Sequence, residues 1–194
     1  MEQIHKNKDS QLVESAMNMI IDEHIELIHT IKYDEIAALI PIITNAKHLF
    51  IMGAGRTGLM MKAAAMRLMH LGFNVHVVGE TTVPAIAKGD LLIAGSGSGT
   101  TSGIVRAAET AKKVGADIVC FTTNSESPLA ELAIQSVIIP AAQKQERDEA
   151  ISKQYAGSLF EQSLLLVFDA LIQSLWDIDS SSTSELWKRH ANME

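Results

Sequence analysis

HLFIMGAGRTG (residues 48–58) and DLLIAGSGSGTT (residues 90–101) follow one plan: an apolar run, a G-x-G turn, and the opening of a helix. Gly53 corresponds to Gly95 and Gly55 to Gly97, at a constant offset of 42 residues. Two apolar runs ending in the same kind of turn predict adjacent strands whose loops converge. In open α/β sheets, ligands bind in the crevice outside the carboxyl ends of the strands, where strand order reverses. The two loops are therefore the expected walls of a binding site.

Further short apolar runs lie at Val75–Val78, Ile118–Phe121 and Ser136–Ile139. Segments of helical period separate them, at Leu59–Leu71, Ile104–Val114 and Leu129–Ala133. Short apolar strands alternating with helices predict an α/β fold, a doubly wound (flavodoxin-like) parallel sheet of about five strands. Apolar residues recur at helical spacing from Leu12 to Ile31, so the first forty-odd residues read as helix, with Pro41 expected to interrupt the pattern. A last helix is expected from Leu159 to Trp176, then a polar SSSTS stretch and the tail ELWKRHANME. The expected organisation is one domain over residues 1–194: a helical extension (1–45), a sheet core (46–180) and a tail (181–194).

Composition narrows the function classes. The chain has 194 residues, 47% hydrophobic and 20% charged, with a net charge of −7. That length suits one domain with a proper core. A negative overall field argues against nucleic acid or an anionic membrane as partner. Cys120 is the single cysteine, so no intrachain disulfide and no cysteine-based metal site can form. The start, MEQIHKNKDSQLVE, lacks the apolar stretch of a signal peptide, and no apolar run approaches roughly 18 residues. A cytoplasmic location is expected.

The segment Gly95-Ser96-Gly97-Ser98-Gly99-Thr100-Thr101 carries the most chemistry. Glycines let a backbone turn tightly and approach a ligand closely. The helix after this loop offers unpaired N–H groups and the positive end of its dipole. Ser96, Ser98, Thr100 and Thr101 add hydroxyls suited to phosphate oxygens. Without a lysine the loop is not a Walker-type nucleotide loop; it suits a monophosphate held by neutral donors. The competing reading is a small-residue turn with a serine or threonine helix cap. The first loop, Gly53 to Gly58, also fits G-x-G-x-x-G and raises a dinucleotide alternative, with Glu80 beyond the second strand as ribose ligand. The serine-rich second loop is not predicted by that alternative, and no residues remain for a separate substrate domain. Arg56 would serve a pyrophosphate, a sugar phosphate or a hydroxyl equally well.

Together the two loops resemble the SIS (sugar isomerase) domain. Residues 52–101 and AGSLFEQSLLLVFDALI (residues 156–172) resemble the 6-phospho-3-hexuloisomerase family over nearly the whole chain, and the ending HANME is similar to bacterial members. Three departures stand out. Thr57 replaces the serine of the family's usual GRSG, Thr100 stands where glutamate is frequent, and KQYA (residues 153–156) replaces a proline-containing stretch. The resemblance implies interconversion of 3-hexulose 6-phosphate and fructose 6-phosphate in the ribulose monophosphate route of formaldehyde fixation; the alternatives are another SIS-domain aldose or ketose phosphate isomerase, or a non-catalytic module that senses a sugar phosphate. It also implies a homodimer or homotetramer with shared sites and 3-hexulose-6-phosphate synthase as pathway partner.

Moving a carbonyl from C3 to C2 through a cis-enediol needs one base and a means of handling protons on oxygen. No cofactor is chemically required, and no spaced His/Asp/Glu triad suggests a metal. The resemblance puts the base on Glu161. Spacing alone favours another role, since Ser158-x-x-Glu161 is also a capping box. The expected phosphate and substrate contacts are Gly55, Arg56, Thr57, Ser96, Gly97, Ser98, Gly99, Thr100 and Thr101. His70 comes 13 residues after Thr57, roughly 20 Å along a helix. It is either a structural histidine at a helix C-terminus or, as in related SIS isomerases, a residue entering a neighbouring subunit's site to help move protons. Lys144 to Asp148 would lie near the sheet edge as a solvated loop or a cover for the sugar. His24 and His29 read as surface or interface residues, and Met60, Met61, Met66 and Met69 as packing.

Overall fold

The structure, a computed structural model, describes residues 2–142, 152–155 and 157–193. Five strands form one parallel sheet: β1 (Leu49–Gly53), β2 (Val75–Val77), β3 (Leu91–Gly95), β4 (Asp117–Thr122) and β5 (Gln135–Ile138). Their order, β2-β1-β3-β4-β5, is the flavodoxin-like order, which reverses direction between β1 and β3. β1 and β3 pair with Leu49 opposite Leu91 and Gly53 opposite Gly95. The two glycine turns therefore leave the sheet side by side at the switch point.

Alternation along the strands builds two cores. Leu49, Ile51, Leu91, Ile93, Val119, Phe121 and Val137 face one side, against α4 (Gly55–His70), α7 (Ser158–Asp179) and the N-terminal helices. Phe50, Leu92, Ala94, Ile118 and Cys120 face the other, against α5 (Ser102–Val114) and the short α6 (Pro128–Leu132). A sheet covered on both faces needs apolar residues at every position, and this is why the strands read as continuous apolar runs. α7 is long and apolar enough to cross a membrane by composition, yet it is a core helix: Phe160, Leu164, Phe168, Leu171 and Leu175 are all buried in the first core.

The N-terminal region differs from the sequence reading in one respect. It comprises α1 (Glu2–Ile28), α2 (Tyr33–Ala37) and α3 (Leu39–Asn45), so the break falls at residues 29–32 and not at Pro41. Pro41 is the third residue of α3. A first-turn N–H has no intrahelical acceptor, so proline costs little there. The tail also contains an unforeseen short helix, α8 (Thr183–Trp187), started by a capping box between Ser182 and Glu185.

Helix α4 begins at Gly55, directly after β1 and earlier than its apolar pattern indicated. Close approach permits this. A Cβ on Gly58 would lie 2.8 Å from the carbonyl oxygen of Gly53, so helix and strand touch through bare backbone. The opening of α4 is thereby pressed against the mouth of the cleft between the loops.

Candidate active site

A cleft of about 260 Å³ opens at the switch point, lined by Gly55 and Thr57 from the first loop and by Ser96, Gly97, Ser98 and Thr101 from the second. Both flanking helices start here without a side-chain cap. Ala54 before α4 has no capping group, and the Thr101 side chain before α5 makes no cap bond. The first-turn amides of two helices and the positive ends of two dipoles are thus presented at one opening, an arrangement suited to a phosphate dianion.

The second loop is braced from below by residues that the sequence reading did not single out. Ser96 Oγ accepts from the Gly99 amide at 3.2 Å and pairs with Thr101 Oγ1 at 3.1 Å. The Gly97 carbonyl accepts from the hydroxyls of Thr122 and Thr123, at 3.0 and 2.9 Å, and from the Thr123 amide at 2.9 Å. Gly99 adopts φ +63°, and a Cβ there would collide with the Ser127 side chain, so no other residue fits. The polar run TTNSES (residues 122–127) after an apolar strand was the available signal for these supports. Gly99 and Thr100 do not line the cleft: Gly99 is buried, and the exposed Thr100 donates its hydroxyl to Ser98 Oγ at 2.9 Å.

Glu161 comes from the far end of the chain to the rim of this cleft, where its neighbours Gly157 and Phe160 line the wall although neither it nor Arg56 does. It sits in the first turn of α7, 2% exposed, beside the first turn of α4, which carries Arg56. Arg56 Nη1 lies 2.9 Å from Glu161 Oε2 and also donates to Ser158 Oγ at 3.2 Å. The capping box suggested by Ser158-x-x-Glu161 is not formed. The residue before the helix is Gly157, which has no side chain, and the Glu161 carboxylate turns to the guanidinium instead. Phe160, adjacent in sequence, closes the cleft beneath Gly97. The arrangement combines a phosphate cradle with a buried carboxylate and a half-exposed guanidinium. It can hold an anion at one end and exchange a proton at the other.

His70 is not brought to the cleft of its own chain. It ends α4, fifteen residues from Gly55 and about 22 Å along the helix. The tail folds over it. Its ring stacks on His190 at 3.9 Å, and Arg189 donates to its carbonyl oxygen at 2.9 Å. Burial lowers its pKa, with nearby His190 and Arg67 pushing the same way, so its charged form is disfavoured although it stands at a helix C-terminus. Glu80, the alternative ribose ligand, pairs with Lys62 at 2.9 Å. Lys144 to Asp148 fall outside the described residues. His24, read as a surface or interface residue, is half-buried and bonded to α7 within the chain, whereas His29 is exposed. Among the described residues no three His, Cys, Asp or Glu side chains gather as a metal site.

Comparison with known proteins agrees with this geometry. Residues 42–167 match the SIS domain family. The chain is 53% identical over 182 residues to the 3-hexulose-6-phosphate isomerase of Mycobacterium gastri, covering 94% of this chain and 92% of that protein. It is 40% identical to the 3-hexulose-6-phosphate isomerase of Bacillus subtilis, covering 84% and 89%. A crystal structure from Methanococcus jannaschii, for which the same isomerase function was inferred, superposes with a TM-score of 0.80 at 30% identity, covering 93% and 99%.

The lowered pKa of His70 has a stability consequence. Below about pH 6.5 the unfolded chain takes up a proton that folded His70 resists, so stability falls as pH drops. Urea unfolding at pH 7.5 and 5.5 should show a lower midpoint at the acid end, and His70→Gln should flatten that difference.

Proposed function

We propose, from the premise that this chain belongs to the SIS domain family, that it is a ketose-phosphate isomerase interconverting 3-hexulose 6-phosphate and fructose 6-phosphate. The observation that carries the reading is the Glu161–Arg56 pair, held at the edge of an uncapped, hydroxyl-lined phosphate cleft.

The phosphate is bound by the amides at the start of α5 and by the hydroxyls of Ser96, Ser98 and Thr101, with Thr57 and the backbone of Gly55 and Gly97 completing the wall. Gly99 shapes the loop without touching ligand, and Thr100 acts through Ser98. Anchored by its phosphate, the sugar extends towards α7. Glu161 removes the proton from C2 of the 3-hexulose. The C–H electron pair becomes the C2=C3 double bond, and the carbonyl pair moves onto O3. Arg56, already 2.9 Å from the carboxylate, stabilises the charge that develops on the enediolate oxygens. The proton on O2 passes to O3, O2 becomes the new carbonyl oxygen, and the C2=C3 pair takes the proton back from Glu161 at C3. The product is fructose 6-phosphate, and the carboxylate is regenerated.

A cytoplasmic location and a substrate handed on from 3-hexulose-6-phosphate synthase fit this chemistry. A homodimer or homotetramer is part of the proposal. α1 exposes Val13, Met17, Ile21, Ile25 and Ile28 along one ridge, an apolar stripe that a second copy would cover. His70, remote from its own cleft and covered by His190 of the tail, would enter the neighbouring copy's site on displacement of that tail residue.

Two experiments test these roles. Glu161→Gln should keep the fold and bind fructose 6-phosphate, yet lose at least about a hundredfold in kcat when the 3-ketohexose phosphate is tracked by NMR. Wild-type turnover in a folded Glu161→Gln chain would remove it as the base. Glu161→Gln and His70→Gln chains, each inactive, should regain part of the activity when co-refolded, because mixed oligomers contain one site with both native groups. No recovery in mixed oligomers of demonstrated composition would contradict the shared site.

A further inference from the structure

Two neighbouring residues of α1 hold the chain on both sides of Glu161. Glu23 grips the segment that leads into α7. Its Oε2 accepts from Ser152 Oγ at 2.7 Å and from Gln154 Nε2 at 3.0 Å, and its Oε1 accepts from the Lys153 amide at 2.7 Å. His24 grips the helix just after Glu161. Its Nε2 lies 3.0 Å from Gln162 Oε1, and its Nδ1 lies 3.2 Å from Ser163 Oγ. Consecutive residues on a helix point about 100° apart, so α1 straddles the junction between segment and helix.

Among the described residues the junction is tied by the Ser158 amide to the Tyr155 carbonyl at 3.0 Å, but the start of α7 has no side-chain cap. Gly157 offers no side-chain cap, and Ser158 spends its hydroxyl on Arg56. A catalytic group must be held within about 0.5 Å of its working position, which depends on the residues behind it. Burial pushes the Glu23 carboxyl up, but the Lys153 amide and the Ser152 and Gln154 side chains outweigh this and hold it below the ordinary glutamate value. It is therefore ionised at neutral pH, where it accepts three charge-assisted hydrogen bonds.

We infer that Glu23 is a positioning residue for the isomerisation, clamping residues 152–154 so that α7 presents Glu161 to Arg56 and to the substrate carbon, with His24 as the second jaw. This rests on the reading of Glu161 as the base. It gives the N-terminal helix a part in turnover although α1 does not line the phosphate cleft.

The test compares wild type, Glu23→Gln and Glu23→Ala in the full-length protein. The amide keeps size and one acceptor oxygen, so Glu23→Gln should retain part of the function. For Glu23→Ala, kcat should fall on the order of tenfold, because small displacements of a catalytic group are costly. KM for fructose 6-phosphate should stay within about twofold, since the cradle is untouched. Hydrogen exchange over residues 152–160 should quicken in the same order as kcat falls. A purely structural role would lower the melting temperature and leave kcat at 25 °C unchanged; that result, or unchanged kcat in folded Glu23→Gln and Glu23→Ala together, overturns the inference. Failure of wild type itself to isomerise fructose 6-phosphate would instead overturn the reading of the reaction, and with it the step assigned to the clamp.

Discussion

The backbone pairing of β1 with β3, with Gly53 opposite Gly95, is the constraint on which the site depends. Strand order reverses between these two strands, so their helices depart to opposite faces of the sheet and leave a crevice between them. A shift of one residue in that register would turn every side chain of one strand to the other face and separate the two turns. The pairing is specified by apolar residues on both faces, Leu49 and Ile51 in one core, Phe50 and Leu92 in the other. Packing therefore sets the position of the phosphate cradle before any ligand contact is considered.

The proton-transfer end of the site has a different origin. Arg56 and Glu161 are 105 residues apart and meet because α7 packs along α4 over the first core. The carboxylate and guanidinium form an ion pair that is buried on one side and half-open on the other. Complete burial of such a pair would be costly and would exclude a substrate. Half-burial leaves the guanidinium able to turn towards developing negative charge while keeping the carboxylate out of bulk water. The helix α1 supports this arrangement from outside, so the sheet, the C-terminal helix and the N-terminal helix each supply one layer of the same site.

Much of this was legible in the sequence because it depends on local pattern. Five apolar runs marked the five strands to within a residue or two, and the glycine spacing marked the cleft. Features that depend on tertiary contact were not legible. Ser158-x-x-Glu161 and Ser182-x-x-Glu185 carry the same capping signature, yet only the second forms the box; at the first, Arg56 takes the carboxylate. Pro41 looked like a break and is a first-turn residue. The support from Thr122, Thr123 and Ser127, and the grip of Glu23 and His24 on α7, join segments whose proximity no periodicity encodes. The residue type of Thr100 suits a ligand donor, whereas its hydroxyl is turned onto Ser98.

The central claim is that this cleft moves a proton between C2 and C3 of a ketohexose phosphate. The most direct test is prolonged incubation of fructose 6-phosphate with the wild-type protein in D2O, with NMR used to locate solvent deuterium on the sugar. The account predicts deuterium at C3, the carbon to which Glu161 returns its proton. Deuterium at C1, the mark of aldose–ketose chemistry, or none on carbon after exhaustive cycling, would contradict it.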